Sequence, residues 1–239
     1  MRDESGAQYF FMPICDVENG VELLREHCRE TGDKLQFFGV GEEYVELFCK
    51  RLNAKNPVEL EKWADYLYDA RALTELVGKK YNAKRNHINK FRKTYPQAEF
   101  KDFKKADREK VLAFLEKYSK NDLTASYFYD KNEVALLVEN WRDGEYPAGY
   151  MEIDGEAVGF TVGDIVGDTL FVHVEKCLRD ISGVYEATTN AFLKRHVTDA
   201  VKFVNREEDM GIEGLRKSKM SYYCLLYTSP SPRDTERSR

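Results

Sequence analysis

Tyr150-Met-Glu-Ile153, Asp154-Gly155, then Ala157-Val-Gly-Phe-Thr-Val162 and, beyond a turn over Gly163–Asp168, Thr169-Leu-Phe-Val-His-Val-Glu175 are the stretch on which the fold turns. Asp-Gly between two β-rich runs is the strongest short-range hairpin signal, so three consecutive antiparallel strands are predicted. Outward on the N-terminal side, a helix over Asp107–Tyr118 gathers Val111, Leu112, Leu115 and Tyr118 on one face, and Glu133–Trp141 supplies another. On the C-terminal side, Val184–Val197 reads as a helix with Val184, Ala187, Ala191 and Phe192 inward. The apolar run Val201–Val204 then reads as a buried strand, and a last helix carries Ile212, Leu215 and Met220. Helices, three strands, helix, strand, helix describes an α/β (α+β) domain with a mixed sheet flanked by helices.

The N-terminal half repeats the theme. Strands are expected over Tyr9–Ile14, Lys34–Val40 and Asp65–Asp69, and helices over Val17–Glu30, Glu42–Leu52 and Ala70–Val77. Between Lys79 and Lys93 there are seven Lys or Arg and no acid, and Pro96 closes the segment. Lys80, Lys84, His87 and Phe91 share one face of that helix. Two readings stand for it: a surface for phosphates or an anionic lipid headgroup, or a solvated connecting helix paired with surface carboxylates. His87 alone reads more readily as a packing or hydrogen-bonding residue than as a catalyst.

The chain has 239 residues, 42% of them hydrophobic and 33% charged, with a formal net charge of −5. That balance describes an ordinary globular protein and does not advertise a general nucleic-acid binder. Apolar runs fall short of the roughly 20 residues needed to span a bilayer, and the N-terminus lacks a signal-peptide pattern. Cys15, Cys28, Cys49, Cys177 and Cys224 are scattered and odd in number, with no Cys-x-x-Cys. They read as reduced thiols of a cytoplasmic protein rather than a disulfide framework or a zinc site. No Ser-His-Asp signature, phosphate-binding loop or dinucleotide fingerprint is present, so neither a metal nor a nucleotide cofactor is expected.

Chemistry concentrates at two places. Along Thr169–Glu175 the side chains of Phe171, His173 and Glu175 fall on one face. His173 and Glu175 suit a general base and its orienting partner, or a cross-strand polar pair on a half-exposed face. After the strand ending at Val204 come Asn205, Arg206, Glu207, Glu208 and Asp209. Polar groups between a strand end and a helix start project into a cleft in many α/β sites, while a solvated acidic turn at a helix N-terminus is the alternative.

Asn205-Arg-Glu-Glu-Asp209 with Gly214-Leu-Arg-Lys-Ser-Lys219 and Ser221-Tyr222 resembles the closing motif of the phosphatidylglycerol lysyltransferase C-terminal-like family. Gly78-Lys-Lys-Tyr81 with Lys84-Arg-Asn-His-Ile-Asn89 and Phe91 resembles that family's central helix, and Phe171–Lys176 its strand carrying His, Glu and Lys. The resemblance runs over residues 8–223 and implies two tandem GNAT-like acyltransferase folds, the first entered partway. Residues 1–78 would then be a partial first repeat, 79–96 a basic linking helix and 97–223 the second repeat. Residues 224–239 are expected to lie outside the native fold, because Leu226-Tyr-Thr-Ser-Pro-Ser-Pro-Arg-Asp234 reads like adaptor read-through.

The resemblance implies a transferase taking an aminoacyl group from aminoacyl-tRNA. The acceptor it implies is a lipid headgroup or a small-molecule amine or hydroxyl. His173, Glu175, Asn205, Arg206 and Glu207 are the implied catalytic set. Lys84, Arg85, Asn86, His87, Asn89, Lys176, Glu208, Asp209, Arg216, Lys217 and Lys219 are the implied substrate-binding set. A CoA-using enzyme of this fold carries an Arg/Gln-x-x-Gly-x-Gly/Ala turn whose backbone N–H groups take the pyrophosphate. Here the turn is Arg179-Asp-Ile-Ser-Gly183-Val-Tyr185, and the bulk of Tyr185 disfavours acyl-CoA. A CoA-dependent N-acyltransferase and a non-catalytic module binding an anionic ligand remain as alternatives.

Overall fold

The computed structural model describes residues 8–13, 16–55, 57–58, 64–120 and 125–228. Cys15, Ile14 and the tail beyond Thr228 lie outside the described residues. The chain divides into two compact units at Glu59/Leu60.

In the smaller unit, β1 (Phe10–Phe11) pairs in parallel with β2 (Phe37–Phe38). Helix α1 (Val17–Thr31) starts at Asp16, whose carboxylate accepts from the Asn19 N–H at 2.9 Å, and stops at Gly32 with φ 74°. Helix α2 (Glu42–Glu46) continues into a π-helical turn over Leu47–Arg51. Val21, Phe48 and Leu52 form the core of this unit.

The larger unit holds a seven-stranded sheet. Its strands are β3 (Asp65–Asp69), β4 (Glu99–Asp102), β5 (Ala148–Ile153), β6 (Glu156–Val166), β7 (Thr169–Cys177), β8 (Phe203–Asn205) and β9 (Leu226–Thr228). Their spatial order is β4-β5-β6-β7-β8-β3-β9. Helices α3 (Ala70–Glu75), α4 (Asn82–Thr94), α5 (Arg108–Lys120), α6 (Ala125–Glu139), α7 (Val184–His196) and α8 (Glu213–Met220) complete it. The mixed α/β class expected from the element order is the one found. Asp154 and Gly155 take φ 51° and 88°, both left-handed as the tight hairpin between β5 and β6 requires.

Three expectations shift. The turn placed over Gly163–Asp168 is instead strand to Val166, with a register slip between Val162 and Gly163. A Cβ on Gly163 would sit 2.3 Å from the Phe171 carbonyl oxygen, so the glycine permits close strand approach and bulging rather than ending the strand. Strand β3 and helix α3, grouped with residues 1–78 by sequence order, belong to the larger unit, because β3 lies between β8 and β9. Leu226–Thr228, expected outside the fold, pairs antiparallel with Asp65–Leu67.

All strand pairs in this sheet are antiparallel except β7 with β8, which α7 connects as a crossover. That pairing covers only Thr169–Phe171 against Phe203–Asn205. Beyond it β7 runs on to Cys177, while the chain after β8 leans on β3: Arg206 N–H donates to Tyr66 O at 3.0 Å and Tyr66 N–H to Glu207 O at 3.2 Å. The two parallel strands therefore part company, and side chains span the opening.

Candidate active site

Two ion-pair rungs cross that opening. In the inner one, Arg206 Nη2 donates to Glu175 Oε2, and Glu175 Oε1 accepts from Thr189 Oγ1 on α7. Both partners are sequestered, with side-chain exposures of 7% and 14%. The guanidinium carbon lies 4.9 Å from the Tyr222 ring centre and 6.0 Å from that of Tyr68. Burial works against the Arg206 charge, but the Glu175 carboxylate outweighs it and drives the pKa above the ordinary value. Among the described residues Arg206 Nε and Nη1 are buried with no acceptor in hydrogen-bond geometry, the Tyr68 hydroxyl being the polar group that interacts with the guanidinium from that side. Donors of this kind in a buried guanidinium are costly unless a ligand or water satisfies them.

In the outer rung His173 Nδ1 meets Glu207 Oε1 at 2.6 Å, and the His173 ring stacks on Phe171 with an interplanar angle of 11°. These side chains are open, 46% and 37% exposed. Glu207 adopts φ 54°, a left-handed conformation that non-glycine residues rarely hold unless their surroundings impose it.

The rest of the polar turn braces these rungs. Asn205 Nδ2 donates to Asp65 Oδ2 at 2.8 Å, while its Oδ1 accepts from Glu207 N–H at 2.7 Å. Asp209 is fully buried and accepts from Tyr66 Oη at 2.6 Å, Gly211 N–H at 2.8 Å and Arg216 Nε at 2.7 Å. Burial alone would raise the Asp209 pKa; those donors, Arg216 foremost, hold it below the usual value. Lys219 Nζ donates to three successive carbonyls, Arg206 at 2.5 Å, Glu207 at 3.2 Å and Glu208 at 2.5 Å. Burial brings the Lys219 ammonium down to about 8. Asn205, Asp209, Arg216 and Lys219 are thus placed as scaffold around Arg206 and Glu207, and Glu208 offers its carbonyl to the brace.

Helix α4 sends one cation to the inner rung. Lys84 Nζ sits 4.0 Å from the Tyr222 ring centre and 3.5 Å from Glu186 Oε1, in the first turn of α7. Burial lowers its pKa. His87 Nδ1 also stands 3.5 Å from Glu186 Oε1. Arg85 is used differently: it donates to the carbonyls of Leu76 and Gly78 and to Asn82 Oδ1, fastening the chain before its own helix. Asn86, Asn89 and Lys217 are exposed, and Lys176 is buried with its ammonium 5.4 Å from the Tyr118 ring.

Sequence reasoning passed over Tyr68, Tyr222, Glu186 and Thr189. Tyr222 stood in a quoted motif, and its ring serves both Lys84 and Arg206, but a tyrosine carries no periodic signal for that duty. The start of α7 is closed in a way the sequence did not disclose. Gly183 has φ 81°, and a Cβ there would lie 2.7 Å from the His87 carbonyl oxygen, so α4 backbone packs directly on this turn.

A mixed sheet with two diverging parallel strands, bridged by a buried arginine–carboxylate pair, defines an α/β domain with a polar cluster at a strand switch. Residues 1–225 match the family described as phosphatidylglycerol lysyltransferase, C-terminal, and the chain belongs to it. An uncharacterised protein of Mycoplasmoides gallisepticum is 30% identical over 181 residues, 72% of this chain and 56% of its own length. The chain thus spans little more than half of that curated relative. Among solved structures, a conserved protein of unknown function from Bacteroides thetaiotaomicron superposes with a TM-score of 0.82 at 29% identity, over 92% of this chain and 76% of that one. The C-terminal domain of a provisionally assigned lysylphosphatidylglycerol synthetase from Agrobacterium fabrum gives 0.63 at 13% identity, covering 94% and 79%. The L-PGS of Bacillus licheniformis gives 0.62 at 12%, covering 86% and 69%. The last two share the fold. No helix among the described residues is long and apolar enough to cross a membrane.

Proposed function

We propose that this chain is a transferase that moves an acyl group, with an aminoacyl ester of tRNA as donor and an amine or hydroxyl as acceptor. The observation that carries this reading is the Arg206 guanidinium, anchored by Glu175 yet holding buried N–H groups with no acceptor in hydrogen-bond geometry among the described residues. A donor carbonyl develops negative charge on its oxygen as the acceptor attacks, and preorganised donors in a water-poor site stabilise that charge. Arg206 supplies such donors; Tyr222 and Tyr68 wall the space, and Lys84 adds a second cation. The exposed cations Lys79, Lys80, Lys90, Arg92 and Lys93 on and before α4 would take the phosphates of the tRNA end.

The packing of α4 on Gly183 supports a polynucleotide donor over acyl-CoA. In a CoA enzyme the corresponding backbone must lie open to a pyrophosphate. Here the His87 carbonyl stands 2.7 Å from where a Gly183 Cβ would lie, so α4 backbone covers that side of the turn, while Tyr185 packs into the core beside Tyr118.

The test is a titration of the full chain with a mixed aminoacyl-tRNA pool and with acetyl-CoA, followed by transfer of radiolabelled amino acid to extracted lipids and to small amines. Salt-sensitive tRNA binding with label transfer is expected, and Arg206→Met should lose the transfer while keeping the binding. Saturable acetyl-CoA binding would replace this reading with a CoA-dependent one.

A further inference from the structure

The inner and outer rungs differ in what they leave unused. Glu175 is sequestered, with one carboxylate oxygen engaged by Arg206 and the other by Thr189, whereas His173 is open to an incoming acceptor. Glu207 spends an oxygen on His173. In the tautomer whose Nδ1–H faces Glu207 Oε1 at 2.6 Å, the lone pair of His173 is on Nε2. No described residue occupies Nε2, and the ring is 46% exposed. Beneath it, the left-handed Glu207 is held by Asn205 Oδ1 on its N–H and by Lys219 on its carbonyl. A strained residue fixed from both sides of its backbone, with its carboxylate on a histidine, is a preorganised pair rather than a chance surface contact.

We infer that His173 is the general base that takes the proton from the acceptor, with Glu207 as the residue that positions it. This rests on the transferase reading above. His173 and Glu175 are two residues apart on one strand, which places the outer rung about 7 Å from the inner one. That spacing allows an acceptor bound at Nε2 to approach a carbonyl held at Arg206. As the acceptor N–H or O–H gives its proton to Nε2, its heteroatom bonds to the carbonyl carbon and the carbonyl oxygen gains the negative charge. Collapse of that intermediate breaks the ester C–O bond, and the imidazolium returns its proton to the departing ribose oxygen. The base ends as it began, neutral, and no further reactant is consumed.

The dyad can be tested without any donor. Diethyl pyrocarbonate acylates accessible imidazole lone pairs, and the chain has four histidines, His27, His87, His173 and His196, that peptide mass spectrometry separates. His173 is expected to react several-fold faster than the exposed His87, and Glu207→Gln should bring its rate down to that of His87. A His173 slower than His87 in the unmodified chain, or one indifferent to Glu207→Gln, overturns the dyad whatever the donor is. In the transfer assay, His173→Ala should lose at least tenfold in rate and regain part of it with added imidazole. Loss without rescue, alongside ordinary labelling, would reduce His173 to a structural residue. A fast, Glu207-dependent His173 in a chain that transfers nothing from aminoacyl-tRNA would keep the dyad and retire that donor.

Discussion

The inner and outer rungs join the same two segments and have opposite characters. Glu175–Arg206 is desolvated and walled by tyrosines; His173–Glu207 is open to water. A buried pair is dangerous to break, because removing one partner strands the other charge in a low-dielectric setting. An exposed pair contributes at most about 1 kcal/mol. The first is therefore tied to both fold and chemistry. The second is nearly free of the fold, so its strained geometry points to chemistry.

The largest way to break this contrast is Glu175→Ala. It leaves Arg206 charged, buried and without a counter-ion, and a loss of about 3–5 kcal/mol in urea unfolding is expected. A loss below about 1 kcal/mol would mean that the inner rung is solvated. Next comes Gly183→Ala, whose methyl would meet the His87 carbonyl at 2.7 Å in a left-handed backbone. About 1–3 kcal/mol should be lost as α4 is pushed from α7, and tRNA binding should weaken with the displacement of Lys84.

Lys219 sharpens the comparison through pH. The folded chain holds its ammonium near 8, against an ordinary 10.5. Between those values the unfolded chain binds more protons at this group, so its contribution to stability rises with pH across that window, by up to about 1.4 kcal/mol per unit. Lys219→Met should remove that rise, seen as urea midpoints that no longer climb between pH 8 and 10. The smallest effect is expected from Glu207→Gly. Glycine relaxes the left-handed strain but adds chain entropy, so stability should stay within about 1 kcal/mol of the parent. His173 labelling should still drop.

Much of the scaffold is readable from patterning alone. The Asp154-Gly155 hairpin, the alternation in β7 and the faces of α5 and α7 follow from local spacing, which fixes local structure. Strand β3 was legible as a strand over Asp65–Asp69, but its place in the sheet was not, because that depends on β8 and β9 and nothing within those residues encodes distant partners. The site was legible as a set of residue types and not as a geometry. Glu175, Arg206 and Lys84 were candidates, yet that they meet depends on where β7 and β8 diverge. Arg85 and Arg216 look from sequence like phosphate contacts; the fold also engages one with loop carbonyls and the other with Asp209. Cations near a motif cannot be sorted into scaffold and surface until burial is known.

The position of β3 also bears on how the chain is made. Asp65 and its partner Asn205 are 140 residues apart, and β9 follows later still. A ribosome adding 5–20 residues per second would expose β3 for roughly 10–30 s before either neighbour exists. During that interval Tyr66, Leu67 and Tyr68 form an open strand edge, the kind of surface that pairs with other nascent chains. Synthesis speed and chaperone supply, rather than the stability of the finished sheet, would then set how much of this protein reaches its native state.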